Sequence, residues 1–218
     1  MIMKILLQNT HPLFNRILIY AISLLLLRII ITGEFYFIFL IWNLFLAAVP
    51  LWVSRISEKY SSNNKYGAVL LFFVWLLFLP NTFYVITDLI HLKNSSSLYL
   101  MLDVLLIFSF AVLCCNLGFY SLNQINNILR TNFPKLNLNY FNYFVLILCS
   151  FGIYLGRFLR YNSWNIISNP KNLFFDCLNY FLYPVENKEV WIFTFGFGLF
   201  LISIKSLFEK TSYAINQK

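Results

Sequence analysis

Charge is what this 218-residue sequence has least of: 11% of its residues are charged, and only eight of them are acidic. With 60% apolar residues and a mean hydropathy of +0.72, so few charges cannot coat a water-soluble domain. The chain is therefore expected in a membrane. Two histidines and four cysteines leave little for metal or disulfide chemistry. Cys114, Cys115 and Cys149 fall inside apolar runs and Cys177 in a polar-flanked segment, so no paired spacing supports a disulfide framework or a zinc site. HExxH, GxSxG and a phosphate-binding glycine loop with lysine are all absent, and no cofactor is implied. The net charge of +8 does not indicate nucleic acid, because the basic residues sit in short clusters between apolar runs rather than in one stripe.

What is present is length of apolar sequence. A hydrocarbon core of ~30 Å needs about 20 apolar helical residues. Six stretches come close, at about 13–31, 35–53, 66–89, 98–122, 140–159 and 190–207. None alternates as a membrane β-strand would. The expected architecture is thus an all-α polytopic transmembrane bundle of about six spans, taken as a single transmembrane domain over 1–218. Lys4 precedes a hydrophobic stretch that carries no small-residue cleavage site, so the first span is expected to be retained. Lys4, Arg16, Arg55, Lys59, Lys65, Arg130, Lys135, Lys205, Lys210 and Lys218 would then lie inside, and both termini would be cytoplasmic. Arg28, Arg157, Arg160, Lys171 and Lys188 go against that rule, at or near the outer face. "KYSSNNKY" reads as a flexible inner loop.

The longest link contains "NPKNLFFDCLNYFLYP". Asn169 can cap a helix with Pro170 in its first turn. Leu173, Phe174, Cys177, Leu178 and Phe181 fall on one side and Asn172, Asp176 and Asn179 on the other. The spacing predicts an interfacial amphipathic helix over about 170–183, lying over the outer mouth of the bundle or serving only as a connector.

Polar residues gather in one place. In "FLPNTFYVITDLIHL", helical spacing of 100° per residue brings Asn81, Tyr84, Asp88 and His91 to one face. Pro80 removes a backbone hydrogen bond and frees the carbonyl around Leu76, which Asn81 or a water can meet. Asp88 and Asp103 are equally far from the middle of the intervening turn, which brings two carboxylates to one depth. Arg28, Arg157 and Arg160 lie at the same outer level. Intramembrane charges cost ~2.5–3.5 kcal/mol each on insertion scales and face the bundle interior or water. Asp88 and Asp103 are therefore expected to pair with Arg28, Arg157 or Arg160, whose forks suit phosphate as well as carboxylate. Asp88, His91 and Asp103 are the candidate acid, base or metal-ligand set, a low-specificity match to a facial metal site. The five tryptophans and fourteen tyrosines read as interfacial anchors and packing. "FGFG", Phe195 to Gly198, allows close helix approach.

These motifs resemble a family. "LPNTFYVITDLIHL", the aspartate in "YLMLDVLLIFSF", "NLGFYSL" and "GRFLRYNSWNIISNP" are similar to bacterial six-span membrane proteins classed only as a domain of unknown function. The likeness runs from about Trp52 to beyond Tyr183. It implies a bacterial cytoplasmic-membrane location and marks Pro80, Asn81, Tyr84, Thr87, Asp88, His91, Asp103, Arg157, Arg160, Asn162 and Trp164 as pattern positions. It supplies no activity, and Asn165 stands where the family is expected to place an aspartate.

Three functions fit. One is recognition or translocation of a small or lipid-linked anionic ligand at Asn81, Tyr84, Asp88, His91, Asp103, Arg157, Arg160, Asn162, Trp164 and Arg28. Another is an enzyme acting on an envelope lipid or glycan through Asp88, His91 and Asp103. The third is a scaffold whose ion pairs lock helices together. The expected partners are membrane lipids and an anionic lipid or solute.

Overall fold

The structure, a computed structural model, describes residues 12–60 and 65–216. Lys4, residues 61–64 of the expected inner loop and Lys218 lie outside the described residues. Among the described residues every regular element is helical. Helix α1 (Pro12–Thr32) is followed by a 3-10 turn (Tyr36–Ile38) and α2 (Phe39–Tyr60). Next come α3 (Lys65–Phe78), the five-residue α4 (Pro80–Tyr84) and a 3-10 stretch (Val85–Asn94). The chain continues through α5 (Leu100–Asn132), α6 (Leu138–Phe158), α7 (Asn165–Ser168), α8 (Pro170–Leu182) and α9 (Lys188–Asn216). Among the described residues six helical stretches are long and apolar enough to cross a membrane: Pro12–Thr32, Tyr36–Tyr60, Tyr66–Asn94, Leu100–Asn132, Leu138–Phe158 and Lys188–Phe208.

Helix ends follow local chemistry. Gly33, at φ +70°, closes α1 by donating its N–H to the Ile29 carbonyl at 2.7 Å. Asn137 caps α6 by accepting from the Asn139 and Tyr140 amides at 3.1 and 3.5 Å. Helix α5 runs ten residues past the expected end of its span, at about residue 122, to Asn132. Hydropathy falls there because Gln124 and Asn126 enter, but no glycine or proline interrupts the backbone until Pro134. Gln124 accepts the buried Ser54 hydroxyl of α2 at 2.6 Å, so this polar turn still packs within the bundle.

Helix α5 is the shared wall of two apolar cores. Leu106, Ile107, Phe110, Leu113 and Leu117 pack against Ala21 and Leu25 of α1 and Leu40, Ala47 and Leu51 of α2. One turn on, Cys115, Phe119, Leu122 and Ile125 meet Trp75, Leu79, Phe83, the α6 residues Val145, Leu146, Cys149 and Ile153, and Leu201 of α9. Helix α6 pairs chiefly with α9, and α4 touches α2, α5 and α6 at once. The buried cysteines are packing residues, as their apolar flanks indicate.

Proximity at α4 depends on glycines. A Cβ on Gly118 of α5 would lie 2.3 Å from the Thr82 hydroxyl and 2.9 Å from the Phe83 ring. One on Gly152 of α6 would lie 2.9 Å from the Pro80 ring, and one on Gly156 would lie 3.4 Å from the Tyr84 ring. These three positions let the broken segment sink between α5 and α6. Of the glycines in "FGFG", Gly198 makes the expected close approach, 3.2 Å from the Ile147 backbone, whereas a Cβ on Gly196 would meet nothing within 4 Å.

The interfacial helix differs from expectation in its faces. Asn169 stands at the N-cap of α8, but its side chain makes no capping bond. Leu173, Asp176, Cys177 and Tyr180 are half-buried, while Phe174, Phe175, Leu178, Phe181 and Leu182 are exposed. Asp176 points to the protein because it accepts the Tyr161 hydroxyl at 2.7 Å, and the polar side expected from spacing is split.

Gly118→Ala is expected to cost about 1–3 kcal/mol by overpacking. Gly196→Ala should leave thermal stability in detergent unchanged or slightly raised. Equal melting temperatures for the two variants would mean that the close approach at Thr82 does not govern packing.

Candidate functional site

Pro80 is where the third span breaks. Lacking an N–H, it leaves α3 without its next helical bond, and the carbonyls that are taken up by side chains are those of Leu77 and Phe78, not the one expected at Leu76. Asn81 Nδ2 donates to the Phe78 carbonyl at 3.0 Å and to Ser163 Oγ at 3.0 Å. Ser163 Oγ in turn donates to the Leu77 carbonyl at 3.2 Å. Ser163 comes from the link after α6, so a loop residue completes a mid-span backbone, as satisfaction of polar groups in an apolar medium requires.

Beyond the break the helix tightens. Thr82 and Thr87 hydroxyls donate to the carbonyls three residues earlier, Leu79 and Tyr84, at 2.8 and 2.6 Å. Ten residues then follow 3-10 geometry, which is long for this conformation. Three residues per turn stack Val85, Asp88 and His91 directly above one another, a narrower alignment than the α-helical face expected for Asn81, Tyr84, Asp88 and His91.

Each carboxylate finds a different arginine. Asp88 Oδ1 accepts from Arg157 Nη2, and Asp88 Oδ2 accepts from Asn43 Nδ2 at 2.8 Å. Arg157 Nε also donates to the Thr87 hydroxyl at 2.9 Å, and its guanidinium lies 4.0 Å over the Tyr84 ring. Asp103 is gripped side-on by Arg28, with Nε–Oδ1 at 2.6 Å and Nη2–Oδ2 at 3.5 Å. Glu34 adds a looser contact to Arg28 at 3.8 Å. Phe37 and Tyr99 stand 5.6 and 5.2 Å from the Arg28 guanidinium. Asp88 and Asp103 are both almost wholly buried, at 1% and 0% exposure, so each guanidinium is the compensation that makes the burial tolerable.

The remaining candidates take separate positions. His91 Nδ1 lies 3.0 Å from the Tyr36 hydroxyl, which also accepts from Asn94 at 2.8 Å, and His91 Nε2 is 3.8 Å from Asp88. With Asp103 turned to Arg28, the set Asp88, His91 and Asp103 is not assembled. Among the described residues no three histidine, cysteine or carboxylate side chains gather as metal ligands. Arg160, at φ +61°, is exposed, as are Asn162 and Trp164. Tyr161, outside the spans, has its phenol pushed up to about 12, first by its hydrogen bond to Asp176. It stays a donor across the physiological range and holds α8 to the link.

Beside the ion pairs lies a cavity of about 540 Å³. Trp42, Asn43 and Leu46 of α2 form one wall, Val74, Leu77 and Asn81 another, and Leu148, Phe151 and Gly152 of α6 a third. Tyr161, Asn162, Ser163, Ile166 and Leu173 from the link and α8 complete it. Asn81, Tyr84 and Asn162 of the expected site line this space; Asp88, His91, Asp103, Arg28, Arg157, Arg160 and Trp164 do not. Spacing did not single out Asn43, Tyr36, Ser163, Gly118 or Gly152. Asn43 carries the plainest signal, as a lone amide within the second apolar run.

Removing one partner of either buried pair should cost about 3–5 kcal/mol. In double-mutant cycles on thermal unfolding, Asp88→Asn should couple with Arg157→Leu, and Asp103→Asn with Arg28→Leu. Asp88→Asn and Arg28→Leu should be additive. Coupling across the pairs would contradict the assignment.

No curated protein and no solved structure matches the chain significantly. A family model described as "Protein of unknown function (DUF1361)" matches residues 42–204, which take in the broken span, both ion-paired carboxylates, the cavity and α8. The chain belongs to that family, and it is a multi-pass all-α membrane protein.

Proposed function

We propose that the protein binds a lipid-linked anionic ligand, with the apolar part in the cavity beside Pro80 and the anionic group at its rim. The observation that carries this reading is the cavity itself: about 540 Å³, mainly apolar, with polar side chains at Asn43 of α2, at the kink and in the link after α6. That volume falls in the range of small-molecule sites. Arg157 and Arg28, which first suggest an anion, are spent on Asp88 and Asp103. Arg160 is left to meet a phosphate, since it is exposed and directly precedes the cavity-lining run Tyr161 to Ser163. The reading includes a bacterial cytoplasmic membrane, both termini on the cytoplasmic side, and a cavity opening toward the outer leaflet.

The scaffold reading keeps one specific support: both oxygens of Asp88 are occupied, by Arg157 and Asn43, so that carboxylate holds α2, the third span and α6 together. The two readings are compatible. The Asp88 network holds together helices that also wall the cavity.

In phosphatidylcholine nanodiscs, a lysophospholipid at 100 times its dissociation constant should stabilise the protein by about 2.7 kcal/mol. Leu148→Trp, which fills the cavity, should abolish the shift, and Arg160→Gln should weaken it. Unchanged stabilisation in Leu148→Trp would overturn the reading.

A further inference from the structure

The hydrogen bonds at the cavity wall have a direction, and it restricts what the wall can recognise. Asn81 faces the Phe78 carbonyl, an acceptor, so its NH2 must be turned there. The Ser163 proton is used on the Leu77 carbonyl, so Ser163 can only accept from Asn81. Asn43 faces the Asp88 carboxylate, again an acceptor, and must present its NH2 to it. Asn81 has both amide hydrogens committed and keeps only Oδ1, whereas Asn43 keeps Oδ1 and one N–H; both residues line the cavity. Between them Tyr84 lines the same wall. Its ring is packed under Arg157, and its hydroxyl can donate or accept.

These three residues therefore offer two amide oxygens, one remaining amide N–H and one amphoteric hydroxyl. A phosphate or carboxylate placed there would meet two amide oxygens and no cationic side chain, and its few donors would return only part of the lost hydration. An ammonium would find donors matched but no counter-charge, because Asp88 is already neutralised by Arg157 and neither residue lines the cavity. A neutral hydroxyl both donates to the amide oxygens and exchanges a bond with Tyr84.

We infer that Asn43, Asn81 and Tyr84 form a subsite for the hydroxyl groups of a neutral polyol, so that the ligand is a lipid whose phosphate carries a glycerol or sugar head. This rests on the lipid-binding reading of the same cavity. The phosphate stays at the rim with Arg160, and the polyol turns inward to the kink.

Three palmitoyl lysolipids, with the same chain and a phosphate in common, test it in phosphatidylcholine nanodiscs. Lysophosphatidylglycerol should bind about fivefold more tightly than lysophosphatidylethanolamine or lysophosphatidic acid, the worth of about one net hydrogen bond. Tyr84→Phe, which keeps the ring beneath Arg157, should erase that preference. Equal binding of all three, or preference for ethanolamine or the bare phosphate, would overturn the polyol subsite and leave the lipid cavity standing. Failure of all three to bind would overturn the lipid cavity and the subsite with it.

Discussion

A missing proton organises this molecule. Pro80 sits in the middle of a span, where lipid offers no donor for the carbonyls its ring leaves behind. Asn81 and Ser163 supply donors to Phe78 and Leu77. For Ser163 to reach that depth, the link after α6 must turn back into the bundle, and Arg160 takes a left-handed conformation just before it. Room for the turned backbone comes from Gly118 and Gly152, where a methyl group would press on α4, while one at Gly156 would meet Tyr84 in ordinary contact. The cavity lies among these same elements, so the break and the space beside it have one origin.

The charged residues obey a second constraint of the same kind. A carboxylate with almost no exposure is stable only with a full complement of partners, and both have them. Asp88 ties α2, the 3-10 stretch and α6; Asp103 ties α5 to α1. Arg28 rests between Phe37 and Tyr99 and Arg157 on Tyr84, so each guanidinium loses water on its faces as well as at its fork. These pairs act first as structure. Tyr84 and Asn43 touch the Asp88–Arg157 pair on one side and line the cavity on the other.

Six spans and the pairing of aspartate with arginine were legible in the sequence because both follow from cost: apolar length and uncompensated charge leave few alternatives. Which carboxylate meets which arginine was not, since spacing gives depth along a helix but not its neighbours. The alignment of Asp88 with His91 depends on a change from 3.6 to 3 residues per turn after Tyr84. Period analysis assumes one helix type throughout and cannot find that switch. The extension of α5 was hidden by Gln124 and Asn126, which lower hydropathy without breaking a helix. On α8, a single long-range bond from Tyr161 turned Asp176 inward against the amphipathic pattern.

In the proposed lipid-binding reading, separation of charge from cavity sets what a bound headgroup would meet. Had Asp88 or Arg157 lined the space, recognition would be dominated by an ion and would vary steeply with screening. Instead the pair cancels behind the wall and passes forward only the orientation of one amide and one phenol. Neutral hydrogen bonds are individually weak, but a group left unpaired against a dry wall is penalised more than a matched one is rewarded. Discrimination by such a wall works through what it refuses. The proline break thus does more than bend a span: by fixing which way Asn81 must face, it decides the polarity of the surface a ligand meets.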